Sequence, residues 1–199
     1  MLTPISNTLK GVAAFTWPMI LISVVILISL RITYLIKNRE RFVLYKEFLM
    51  LSFVIYILCL FQVVTFQDTV SWSTNNYVPL KEILRYSFGS RLFLKNVLGN
   101  MLLFLPFGFF TSYYLEVKRP YLPLFLTVIA SFSIECVQMV IGRVFDIDDI
   151  ILNICGGLLG YSVYYMLAKI GSSVPKVFQA EWFLNLLSVL LLIGCMALI

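Results

Sequence analysis

Apolar residues run through this chain in six long blocks, roughly 11–36, 46–66, 96–115, 121–141, 150–168 and 182–199, separated by short polar breaks and one long connection at 67–95. Each block is long enough, at about 1.5 Å per residue, to cross a hydrocarbon core of about 30 Å. The pattern predicts an all-α fold, a polytopic integral membrane helical bundle of about six transmembrane helices. In the long connection Pro79 can open a short helix with Leu80, Ile83, Leu84 and Phe88 on one face and Lys81, Glu82 and Arg85 on the other. Such a segment, between the second and third spans, suits the headgroup plane or a dip into the bundle; an ordinary loop with a helical turn is the alternative. Trp17, Trp72 and Trp182 stand near block boundaries, as interfacial anchors do.

Composition removes the water-soluble classes. Hydrophobic residues make up 61% of the 199 and charged residues only 13%, with mean hydropathy +0.96, which leaves too little polar surface to face water. The net charge of +5 does not indicate a nucleic-acid partner, because the basic residues sit beside helix ends. The chain has no histidine, so acid–base chemistry would rest on carboxylates. Cys59, Cys136, Cys155 and Cys195 are scattered through apolar blocks and read as small packing residues; no metal site or cofactor is predicted. The first block is longer than a signal-peptide core and no small-x-small site follows it, so it is read as a retained helix.

Placing the N-terminus outside puts Lys37, Arg39, Arg41, Lys46, Lys118, Arg119, Lys169 and Lys176 on the cytoplasmic side, eight basic residues against six on the other. That orientation turns the stretch GRVFDIDDIILN at 142–153 outward.

Polar groups inside the blocks are costly and therefore informative. Glu135 lies six residues before the end of the fourth block, about 9 Å deep, where a carboxylate costs on the order of 2 to 3 kcal/mol. Gln138, three residues on, shares its helical face and opens toward Gly142 and Arg143; a helix–helix hydrogen bond is the plainer reading of the pair. Asp149 is placed at the start of the fifth helix, where it can accept from free backbone amides, with Asn153 one turn later. Asp146 and Asp148, taken alone, read as solvated loop. Gly156, Gly157 and Gly160 then let a neighbouring helix approach closely. The third block begins with Asn96 and Asn100, two amides a turn apart, and continues through Pro106 and Gly108, where a kink is expected. The first, second and sixth blocks carry almost nothing polar at depth. The polar residues of the other three share one leaflet, and that convergence argues for a site.

The runs NVLGNMLLFLPFGFF at 96–110 and SIECVQMVIGRVFDIDDIILNICGGLLG at 133–160, with NYVPLKEI at 76–83 upstream, resemble the VanZ-like family. The resemblance covers roughly 75–165 and divides the chain into two N-terminal spans (1–74), the VanZ-like core (75–165), and a cytoplasmic linker with a last span (166–199). It implies a small helical bundle in a bacterial cell membrane, related to the accessory protein of glycopeptide-resistance clusters, linked to teicoplanin, with no established biochemical mechanism. By motif match it implies the polar positions Asn96, Asn100, Glu135, Gln138, Arg143, Asp146, Asp149 and Asn153, and the backbone positions Pro106, Gly108, Gly156 and Gly157.

Three functions fit this inventory. The first is an outward-facing polar pocket engaging a membrane lipid, a lipid-linked envelope precursor or a lipoglycopeptide, with Arg143 on a phosphate or carboxylate and the amides around the head group. The second is a carboxylate-dependent membrane enzyme acting on an envelope lipid or glycan, using Glu135 with Asp149 or Asp146, or a hard divalent ion held by them. The third is a structural membrane subunit. The amide-rich set favours binding over catalysis, since amides recognise and rarely catalyse.

Overall fold

A computed structural model describes residues 3–65, 75–87, 89–173 and 175–197, with side chains described at 17–64, 75–87, 89–171, 175–177 and 179–194. Trp72 and Phe88 lie outside these, as does the side chain of Cys195. The elements are helical: α1 Thr3–Asn38, α2 Leu44–Thr65, α3 Lys81–Arg85, α4 Arg91–Phe93, a π-helical turn Leu94–Leu98, α5 Gly99–Tyr114, α6 Tyr121–Val140, α7 Ile147–Ser173, α8 Lys176–Gln179 and α9 Glu181–Ala197. Among the described residues five helices are long and apolar enough to cross a membrane: Trp17–Asn38, Leu44–Val64, the continuous α4–π–α5 run Arg91–Tyr114, Tyr121–Val140 and Ile147–Gly171. Within the described residues the last apolar block forms α9, 17 residues from Glu181 to Ala197. The short connection helix is also smaller than the face at 80–88 predicts: it has five residues, and Pro79 and Leu80 form the turn before it.

The chain forms two compact units, residues 1–63 with 171–199, and residues 64–170. In the first unit Arg31 Nε and Nη2 donate to Glu47 Oε2 and Oε1 at 2.8 and 2.9 Å, a fork-to-carboxylate pair joining α1 to the first turn of α2. Asn185 of α9 accepts from the Tyr45 amide at 3.0 Å, and Gln62 and Ser188 are buried. These groups correct the expectation that the first, second and last spans hold almost nothing polar. Arg31 and Asn185 find partners 16 and 140 residues away, while Ser188 donates to the Leu184 carbonyl of its own helix.

In the second unit α7 lies against both α5 and α6 at near-zero clearance. A Cβ on Gly156 would run into the Met101 carbonyl, one on Gly160 into the Leu105 carbonyl, and one on Gly108 into the carbonyl of Gly157. Gly157 meets the Thr127 side chain of α6. Glycine removes the side-chain layer, so backbone touches backbone. Pro106 lies inside α5, and the departure from α-helical bonding in this span is upstream, where the Gly99 amide donates to the Leu94 carbonyl across the π-turn. Many large apolar side chains of the span helices point outward, as lipid-facing surfaces do.

Candidate functional site

The site begins where α6 ends. Gly142 adopts φ 81°, and the Arg143 amide donates back to the Gln138 carbonyl at 2.8 Å while that of Gly142 donates to Met139 at 3.2 Å. This left-handed ending reverses the chain and lays residues 143–149 across the end of α6. The Asp146 amide then donates to Glu135 Oε2 at 2.9 Å, so a carboxylate only 1% exposed is met by backbone. The Gln138 amide satisfies both neighbours in one orientation, its nitrogen donating to Glu135 Oε1 at 3.1 Å and its oxygen accepting from Arg143 Nη1 at 2.7 Å. The same Nη1 donates to the Val64 carbonyl at 2.7 Å. Arg143 thus holds the Val64 carbonyl and Gln138 together.

Helix α7 starts at Ile147, and the residue that caps it is Asp146: its Oδ1 accepts from the Asp148 amide at 2.9 Å. Asp149, expected at the cap, lies inside the first turn, and its Oδ1 accepts from Asn100 Nδ2. Asp148 is not solvated loop. It is 2% exposed and takes backbone donors from another segment: Leu80 at 2.5 Å through Oδ1, and Glu82 at 2.7 Å and Ile83 at 3.2 Å through Oδ2. These amides open α3, so a charged side chain from α7 supplies the N-terminal acceptor that α3 lacks locally. Leu80, a non-glycine residue at φ 66°, is held there by this clamp.

Asn76 adds a second tie. Its amide donates to the Phe145 carbonyl at 2.8 Å, its carbonyl accepts from Ile147 at 3.1 Å, and its Nδ2 reaches Asp146 Oδ1 at 2.8 Å. The rings of Tyr77 and Phe145 stack at 5.5 Å. The connection and the GRVFDIDD stretch therefore form one wall. Opposite it, the π-turn separates the two amides read as a turn apart: Asn96 donates to Tyr86 Oη at 2.8 Å, while Asn100 reaches Asp149. Deeper, Asn153 donates to Ser131 Oγ at 2.9 Å.

Two spaces lie among these groups. A cavity of about 380 Å³ is bordered by α3, the π-turn, the start of α5 and residues 143–152, and includes Asn96, Asn100, Arg143, Asp146 and Asp149. A chamber of about 30 Å³ adjoins it, lined by Glu135, Gln138 and Asn153, and shares Asn100, Arg143 and Asp149 with it. The chamber is large enough for a water or two and polar enough to keep them. Among the described residues no three carboxylate or thiol side chains converge to hold a metal ion, and Cys59, Cys136 and Cys155 are free thiols. All eight polar positions named from sequence thus border one or both spaces. Asp148, read from sequence as solvated loop, borders them too, with Asn76 and Val64, and Ser131 supports Asn153; these three were not singled out. Asp148 left a trace in the sequence as the middle acid of DIDD, and Asn76 as the first residue of NYVPLKEI.

Asp146 lies just outside the fifth span. Burial pushes its carboxyl above the ordinary aspartate range, outweighing the hydrogen bonds from Asn76 and the Asp148 amide that favour the charged form. The folded chain holds that proton more tightly than the unfolded chain. This contribution to stability is therefore present at low pH and is lost as pH rises from about 4 through the raised folded-state value. Asp146→Asn, which keeps the capping oxygen, is expected to flatten the loss of thermal stability across mildly acidic pH. An unchanged slope in detergent-solubilised protein would refute this.

Fold and site define a multi-pass α-helical membrane protein with a hydrogen-bonded polar cluster at one end of three packed helices. The chain belongs to the VanZ/LLP1 family, whose match covers residues 53–168. The match begins inside α2, upstream of the 75–165 block in which the resemblance was read, and so includes Val64. No curated protein and no solved structure matches the chain.

Proposed function

We propose that this protein binds an amphiphilic envelope ligand, a lipid-linked precursor or a lipoglycopeptide such as teicoplanin, in the 380 Å³ cavity, and through it alters glycopeptide susceptibility. On this reading the N-terminus and the cavity face outward in the cell membrane, the orientation that the basic residues favour. The observation that carries it is the cavity's lining: amides and charged side chains gathered in a chain that is 61% hydrophobic. Buried Glu135 holds the floor through the Asp146 amide and Gln138, so it sets the geometry of the site.

Glu135→Gln removes an acceptor from a group flanked by two donors, a loss of about 1 to 3 kcal/mol. At normal membrane abundance the variant is expected to lower teicoplanin binding and any resistance phenotype about tenfold or more. Full binding and phenotype in that variant would reject the proposal. A fall in abundance that matches the fall in activity would mark the cluster as purely structural.

The chamber supports a second reading. Glu135 and Asp149 both border a space of water size, as a general acid and base on an envelope lipid or glycan would. Product release from lipid-linked precursors by purified protein, abolished in Asp149→Asn, tests it; no product, with or without divalent metal, counts against it.

A further inference from the structure

The large cavity is bordered by the carboxylates of Glu82, Asp146, Asp148 and Asp149 and by the cations Arg85, Lys95 and Arg143. That formal count does not by itself call for an anionic ligand; the distribution of partners does. Glu82 accepts from Arg85 at 3.2 Å, Asp146 from Asn76, Asp148 from three backbone amides and Asp149 from Asn100. Arg143 is engaged by the Val64 carbonyl and Gln138. The Lys95 ammonium makes no ion pair or hydrogen bond among the described residues. Lys95 is exposed at the edge of this cavity and offers three donors to a ligand that brings acceptor oxygens.

Lys95 also sits on a boundary. It belongs to the π-turn Leu94–Leu98, in which Leu94 and Leu98 are exposed, and Leu102, four residues further along the same span, is exposed too. On a membrane-crossing helix such leucines face hydrocarbon, while Lys95 borders the polar cavity. One ligand can satisfy both surfaces only if it carries an anionic head and an apolar chain.

Building on the cavity as a ligand site, we infer that Lys95, and not Arg143, seats the phosphate of a membrane amphiphile whose chain lies along Leu94, Leu98 and Leu102. The full chain in detergent, titrated with short-chain phosphatidic acid, short-chain phosphatidylcholine or inorganic phosphate and followed by thermal shift and calorimetry, tests this. Phosphatidic acid is expected to bind the parent more tightly than either alternative, Lys95→Gln to weaken it about tenfold, and Lys95→Arg to restore it. Parental affinity in Lys95→Gln overturns the assignment to Lys95. If Asn96→Trp, which sets a bulky ring in the cavity's lining, abolishes binding in that case, the cavity reading survives alone. If Asn96→Trp also leaves phosphatidic acid binding intact, the cavity itself is not the site. Inorganic phosphate binding as tightly as phosphatidic acid overturns the role of the chain.

Discussion

Gly156→Val is expected to leave little or no folded protein. A Cβ at this position would meet the carbonyl oxygen of Met101 and lie 2.9 Å and 3.0 Å from its carbonyl carbon and Cα. These are backbone atoms of a helix, so no side-chain rotation relieves the clash; α5 and α7 must separate. Separation also releases the Gly160 contact with Leu105 and the Gly108 contact with Gly157. Overpacking of an ordinary core costs about 1 to 3 kcal/mol, and here the cost is expected to exceed that because three contacts move together. The fraction of monodisperse protein after membrane extraction and its thermal midpoint measure the effect. Gly171→Val, where nothing lies within 4 Å, is the control and should behave as the parent. A stable, well-extracted Gly156→Val protein would show that the helices are not in backbone contact.

Asp148→Ala is expected to detach the connection from the site without unfolding the bundle. The carboxylate serves three backbone amides, Leu80, Glu82 and Ile83, and its loss leaves them without an acceptor in a partly buried segment. Each stranded donor costs about 1 to 3 kcal/mol when water cannot replace the partner, and less where it can. A combined loss of about 3 kcal/mol corresponds to roughly a hundredfold faster hydrogen exchange at these amides. Exchange in α6 and α7 should stay near parental. Ligand binding should fall as well, because Glu82, Ile83, Arg85 and Tyr86 border the large cavity from this segment. Unchanged exchange at Leu80, Glu82 and Ile83 would remove Asp148 from its clamping role. Asp148→Asn, which retains one acceptor oxygen, is expected to fall between the two.

The contrast between Glu135 and Asp148 shows what was readable in advance. Glu135 lies in the middle of an apolar run, and the cost of a carboxylate there is a property of its immediate neighbours. Asp148 lies among polar residues near a helix start, where burial and solvation read alike until the connection that covers it is in place. The acid cap was misplaced for a related reason: three aspartates within four residues can each start a helix, and the Asn76 contact holds Asp146 at that position. The π-turn was invisible, since α- and π-helical bonding draw on the same apolar residues.

The membrane class, five of the spanning helices, the small-residue face of α7 and the family were legible in the chain alone, because each depends on transfer free energies or on spacing along one helix. Tertiary structure alone decided which groups meet. Arg143 reaches the carbonyl of Val64, 79 residues away, and Asp148 reaches amides 65 to 68 residues away. Those partners are backbone groups, the same at every non-proline position, so no residue letter marks them. They become a site only when Val64 comes within reach of Arg143 and residues 76–83 fold across the start of α7.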